Sequence, residues 1–158
     1  MRTLLTLFLL CPALLRAEDF IPRLCYGDVD QNLFCTHDNV GKIQVYLYNA
    51  GWCGPCNEEM EELADSVAEF DGAPVVFASL SGEGYSQGNP PDQTFLKSWK
   101  SKHHIPFSVA GKNRDFGKTF GNPGSIPFAV IVHPLGTVVK KGNLSVSEIK
   151  KTVRDLLK

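Results

Sequence analysis

The chain has 158 residues, 43% of them hydrophobic and 21% charged, with a formal net charge of −1. That length and balance suit one domain with a full hydrophobic core and exclude a disordered chain. The near-neutral charge, with lysines scattered rather than blocked, gives no nucleic-acid surface.

The opening segment, MRTLLTLFLLCPALLRAEDF, has an early cation (Arg2), an apolar run from Leu4 to Leu10, and Leu15-Arg16-Ala17 ahead of Glu18 and Asp19. This pattern predicts a secretory signal peptide over 1–17, cut after Ala17, with 18–158 as the working domain. The apolar run is too short to span a bilayer comfortably, and an uncleaved membrane anchor is the alternative. Loss of Arg2 and Arg16 takes the net charge to −3. Cys11 leaves with the segment, so Cys25, Cys35, Cys53 and Cys56 remain. An even number in a periplasmic or otherwise exported chain predicts two disulfides, at least transiently.

Cys25 to Thr36, CYGDVDQNLFCT, has a centre rich in turn residues and predicts a β-hairpin. Cys25 and Cys35 then stand on its two arms, where a structural disulfide would tie the hairpin down. Free thiols, or a redox relay to Cys53, are the alternatives. KIQVYLY, 42–48, is β-branched and aromatic and predicts a buried strand. Met60, Leu63, Ala64, Val67 and Phe70 recur at helical spacing, and Asp71-Gly72 with Pro74 ends that helix. APVVFASL, 73–80, is a second buried strand, so a parallel βαβ unit is expected. Residues 81–91 read as a loop, and Asp92 can cap a short helix bearing Phe95, Leu96 and Trp99. IPFSVA, 105–110, is a short extended segment, and 113–120 a weak helix. SIPFAVIV, the turn HPLG and TVVKKG make an antiparallel hairpin. Ser147 opens a last helix with Ile149, Val153, Leu156 and Leu157 inward, and Glu148 and Lys158 suit its dipole. Phe95, Trp99 and Phe107 read as a satellite core over one sheet edge. His103 and His104 are adjacent, hence a poor metal pair, and His133 is expected to be exposed.

The pair in GWCGPC, 51–56, admits four readings. A c-type haem site needs His after the second cysteine, and residue 57 is Asn. A zinc ribbon needs a second close pair, and nine residues separate Cys25 from Cys35. A structural staple over so short a loop adds little. The remaining reading is a reactive dithiol where a buried strand meets an amphipathic helix. Cys53 at the helix N-terminus faces unpaired N–H groups that favour a thiolate, and Pro55 needs no N–H partner in the first turn.

WCGPC resembles the active site of the thioredoxin superfamily. The order of parts is similar to the exported TlpA-like thiol-disulfide oxidoreductases: N-terminal hairpin, strand into WCGPC, Glu59 three residues after Cys56, an insert over roughly 82–111, and Gly124 to Pro127. The resemblance implies an α/β thioredoxin fold, a mixed sheet flanked by helices with the hairpin and the central insert. It implies that Cys53 attacks, Cys56 resolves, and Glu59 tunes the thiols and accepts the Cys56 proton. The other reading of Glu59 is a solvated acidic face with Glu58, Glu61 and Glu62 that matches the helix dipole. Trp52, Gly54, Pro55, Ile126 and Pro127 would receive an extended substrate, with Pro127 in cis. Leu47 stands where cytoplasmic thioredoxins carry a buried Asp, so the proton acceptor must lie elsewhere.

The uncharged Gly-Pro between the cysteines predicts a reductant, nearer thioredoxin's potential of about −270 mV than the oxidant DsbA's of about −120 mV. The resemblance implies no cofactor and no resident metal. It implies a membrane thiol relay as electron donor and disulfide-bearing proteins as substrates, apocytochrome c among them. A monomer is expected. The alternatives are a disulfide-forming oxidant, a Cu(I) metallochaperone of the same fold, and a peroxidase. A peroxidase would need a reactive Cys in a Thr-containing loop, and none precedes Cys53. Copper delivery usually adds a Met or a positioned His, and Met60, the one methionine of the working domain, serves packing.

Overall fold

A computed structural model describes residues 20–111, 120 and 124–158. Residues 1–17, expected to be a signal peptide, and most of the weak helix expected at 113–120 lie outside the described residues. The hairpin pairs β1 (Cys25–Gly27) with β2 (Leu33–Cys35), antiparallel. The main sheet has five strands: β3 (Ile43–Ala50), β4 (Val75–Glu83), β5 (Ser108–Gly111), β6 (Phe128–Val132) and β7 (Val138–Gly142). Its order is β5-β4-β3-β6-β7, parallel across the first three and antiparallel across the last. Helix α1 (Gly54–Ser66) follows β3, α2 (Gln93–Lys102) precedes β5, and α3 (Val146–Leu156) closes the chain. This is the mixed sheet with helices and an N-terminal hairpin that the sequence predicts.

Strand β3 is central because both of its faces are covered. Ile43, Val45 and Leu47 enter a cluster with Met60 and Leu63 of α1 and Ile149 and Val153 of α3. Tyr46 and Tyr48 alternate with them and meet Tyr26 and Phe34 of the hairpin and Leu80 and Val130 of the sheet. Truncating a sealed side chain such as Leu63 to Ala removes about 2–5 kcal/mol. After β3 the chain pairs β4 on one side, and later β6 on the other. The C-terminal end of β3 is therefore where the strand order splits, which is where open α/β sheets form a crevice.

Several boundaries differ from expectation. Helix α1 stops at Ser66, and Val67–Phe70 is a separate 3-10 turn. Strand β4 runs on to Glu83, so the loop expected from residue 81 starts later. Phe95 and Trp99 join the main cluster rather than a satellite. Asp92 caps α2 as predicted, accepting from the Phe95 N–H at 2.6 Å. The cap of α3 is Ser145, not Ser147: it accepts from the Glu148 N–H while Glu148 accepts from the Ser145 N–H. That shift buries Val146 and leaves Leu157 exposed, and Arg154 rather than Lys158 occupies the last turn. His133 is half-buried, its Nδ1 accepting from the Leu135 N–H.

The hairpin tip is more than a surface turn. Val29 is 1% exposed and belongs to the main cluster, its N–H bonded to the Val109 carbonyl. Asp28, also buried, accepts from the Asp30 and Asn32 N–H groups and from the Ser108 hydroxyl. A buried carboxylate so satisfied fixes the turn and docks it on β5.

Candidate active site

Gly51, one residue past β3, gives its N–H to the Glu83 carbonyl, and a Cβ there would lie 2.1 Å from the Phe95 ring. Only glycine lets the strand end approach the insert this closely. The Cys53 N–H then bonds the Ala50 carbonyl and turns the chain into α1. Cys53 is the N-cap: its sulfur accepts from the Cys56 N–H at 3.2 Å, and Pro55 occupies the first turn. Cys53 and Cys56 are joined by a disulfide. Cys56 is sealed and Cys53 nearly so, at 5% exposure, but Cys53 alone of the two borders a groove of about 480 Å³. The protein N–H aimed at the Cys53 sulfur would stabilise negative charge there once the disulfide opens.

Four other predicted site residues, Trp52, Gly54, Pro55 and Ile126, line this groove, whereas Glu59 and Pro127 do not. Trp52, 41% exposed, lines it together with Gly54, Pro55, Gly124, Ser125 and Ile126. The Ile126-Pro127 bond is cis. Ile126 lines the groove; Pro127, next in the chain, is not among its lining residues. Leu47 is buried in the main cluster, so that position offers no carboxylate.

The four glutamates of α1 do not form one acidic face. Glu58, Glu61 and Glu62 are exposed, whereas Glu59 is half-buried on the side of Cys56, Met60 and Leu63. Residues three apart on a helix share a face, so Glu59 and Cys56 follow the same inward stripe. Burial, with a smaller contribution from Glu62, pushes the Glu59 carboxyl up to about 7, and its Oε1 is buried without a hydrogen-bond partner. No acid lies in the first turn of α1, so dipole matching does not explain this residue.

Three groups around the site were not singled out from sequence. Glu83 lines the groove and accepts from the Trp52 indole N–H. Asn143 reaches back to the Pro127 carbonyl and steadies the cis-proline loop. Asn57 links the Gly51 carbonyl to the Trp99 indole, which donates to its Oδ1 at 2.8 Å. The insert helix is also joined to α1 by His103 Nδ1 and Glu61 Oε1, 2.8 Å apart.

Residues 17–141 match the AhpC/TSA family. The chain belongs to that family. A thiol-disulfide oxidoreductase ResA of Oceanobacillus iheyensis is 26% identical over 144 residues, covering 89% of this chain and 70% of that protein. A thiol:disulfide interchange protein of the thioredoxin family from Chlorobium tepidum superposes with a TM-score of 0.76 at 17% identity, over 90% of this chain and 99% of that one. A secreted Mycobacterium tuberculosis disulfide oxidoreductase homologous to E. coli DsbE superposes at 0.67 and 19% identity, over 84% of this chain and 96% of its own. These likenesses show that this AhpC/TSA member has a thioredoxin fold. No helix among its described residues is long and apolar enough to cross a membrane.

Proposed function

We propose that this chain is a thiol-disulfide oxidoreductase that works after export, as a monomer, and reduces protein disulfides through Cys53 and Cys56. The observation that carries the reading is the Cys56 N–H on the Cys53 sulfur at the start of α1, beside an open groove. In the reduced protein the Cys53 thiolate attacks one sulfur of a substrate disulfide. A mixed disulfide forms and the substrate's second sulfur leaves as a thiolate. Cys56 then gives up its proton, attacks the Cys53 sulfur and expels the first substrate sulfur. Two electrons have moved to the substrate, and Cys53–Cys56 is again the disulfide seen here. Glu59, half-buried and near neutral pH in its titration, is suited to take the Cys56 proton. Trp52, Gly54, Pro55 and the Ile126 backbone hold an extended peptide, and Pro127 shapes the loop that presents Ile126.

Residues 1–17 act as the export signal and are removed. The direction of electron flow follows from Gly54-Pro55, which adds no charge to hold the Cys53 thiolate. A reductant outside the cytoplasm needs a donor, and a membrane thiol relay fills that role. Apocytochrome c and other oxidised envelope proteins are the substrate class. The test is the reduction potential measured together with trapping by Cys56→Ser. A potential near about −270 mV with mixed disulfides captured on Cys53 supports the reading, and a value above about −180 mV reverses the direction.

A further inference from the structure

The chemistry above makes no use of a second cluster, at the far end of the hairpin from Val29. The β1–β2 register sets Cys25 opposite Cys35, with Cα atoms 4.1 Å apart and the sulfurs bonded. Cys35 caps the 3-10 turn Thr36–Asn39, which holds His37. The two sulfurs and a ring nitrogen of His37 all lie within 4.8 Å of one another. His37 Nε2 is 3.3 Å from Asp38 Oδ1, while His37 Nδ1 is buried and has no hydrogen-bond partner. A disulfide used only as a tie has no need of this imidazole. A ligating histidine, by contrast, commonly has a carboxylate near one ring nitrogen and gives the other to the metal. Cys25 is exposed, so a reductant and an ion can reach the pair.

We propose that Cys25, Cys35 and His37 form a redox-gated zinc site, closed while the disulfide stands and opened by its reduction. A dithiol passes two electrons and two protons to the S–S bond and closes to its own disulfide, leaving Cys25 and Cys35 as thiols. Zn²⁺ then binds both sulfurs as thiolates and displaces their two protons to solvent. Neutral His37 is the third ligand, Asp38 orients it, and the exposed side at Cys25 leaves a fourth position for water. Bonds of about 2.3 Å to sulfur and about 2.0 Å to nitrogen set donor separations near 3.5–4 Å, which fits inside this cluster. The sulfurs must part to that distance, and opposed strand positions with Cβ atoms about 4.5–5.5 Å apart permit it. Two thiolates and an imidazole favour zinc over magnesium or calcium.

The proposal is independent of the function assigned to Cys53 and Cys56, and its test removes both. The full chain carrying Cys53→Ser and Cys56→Ser is reduced anaerobically with a phosphine, which leaves as the phosphine oxide. After the phosphine is removed, Zn²⁺ is titrated against a chromophoric chelator. One zinc per chain is expected in the reduced protein and none in the oxidised. Co²⁺ should give tetrahedral d–d bands with thiolate charge transfer. His37→Ala should weaken zinc at least tenfold, and Asp38→Asn about tenfold. Zinc should raise the melting temperature of the reduced protein but not of reduced His37→Ala, a readout that serves even if reduction loosens the hairpin. Zinc uptake no greater than in a further Cys25→Ser, Cys35→Ser control overturns the proposal. So does a His37→Ala affinity equal to the parent's.

Discussion

Cys53–Cys56 and Cys25–Cys35 are both disulfides, yet their supports differ. The first spans a helix N-terminus with a separation of three and offers a backbone N–H to one sulfur. The second joins opposed residues of two strands with a separation of ten, on a hairpin whose Val29 is buried in the core. Where a helix starts, the backbone stabilises a thiolate and favours exchange; where strands oppose, it fixes two Cβ atoms and favours a tie. The widest test of this contrast is catalytic. Cys53→Ser should lower protein-disulfide reduction by about a thousandfold or more. Cys25→Ser with Cys35→Ser should leave the rate within about threefold, measured by insulin reduction below the melting temperature. Equal losses would erase the distinction.

Stability should rank the pairs in the opposite order. Chain entropy gives the longer hairpin loop roughly 3 kcal/mol and the short active-site loop roughly 2 kcal/mol. Urea unfolding of the two paired Cys→Ser variants reads this directly. A larger loss from the active-site pair would mean that Cys53–Cys56 serves as a staple.

How far each region was legible follows from the range of its contacts. The junction of KIQVYLY with WCGPC is local, so the strand, the turn and the helix start could all be read from neighbouring residues. The capping box Ser145-Val-Ser-Glu148 was equally local, but Ser147 sits inside it and drew the boundary two residues late. Val29 could not be found this way. It lies among Asp, Gly and Asn, and its burial comes from docking on Val109, eighty residues on. Glu83 and Asn143 are likewise brought to the site by sheet topology. His37 follows Cys35 by two residues, a spacing that means nothing until the hairpin register sets Cys25 alongside.

Glu59 sharpens the contrast because it is a buried ionisable group on the side of one pair only. Its folded-state titration is raised to about 7, so the native protein holds a proton that the unfolded chain releases nearer 4.5. Stability contributed by that proton is full below the unfolded value and is lost as pH rises through the folded one. The oxidised protein should therefore lose on the order of 2 kcal/mol between pH 5 and pH 8 from this group, and Glu59→Gln should flatten that slope. In the reduced protein the same variant should shift the Cys56 titration, followed by alkylation rate. An unchanged profile on both counts removes Glu59 from the chemistry.

The smallest effect tests whether the insert supports the reactive turn. The Trp99 indole donates to Asn57, whose amide in turn donates to the Gly51 carbonyl. Trp99→Phe keeps an aromatic ring in the core and removes that one donor, at a cost of about 1 kcal/mol. Were the insert mere cover, the loss would appear in unfolding and nowhere else. Because the link ends on the residue two before Cys53, the freed turn should also change the alkylation rate of reduced Cys53, by about twofold to fivefold at that energy. Cys25 lies on the hairpin, outside this link, so its rate should not move. Parallel changes at both cysteines would show general loosening of the fold, whereas a change at Cys53 alone would make Trp99 and Asn57 positioning residues of the active-site turn.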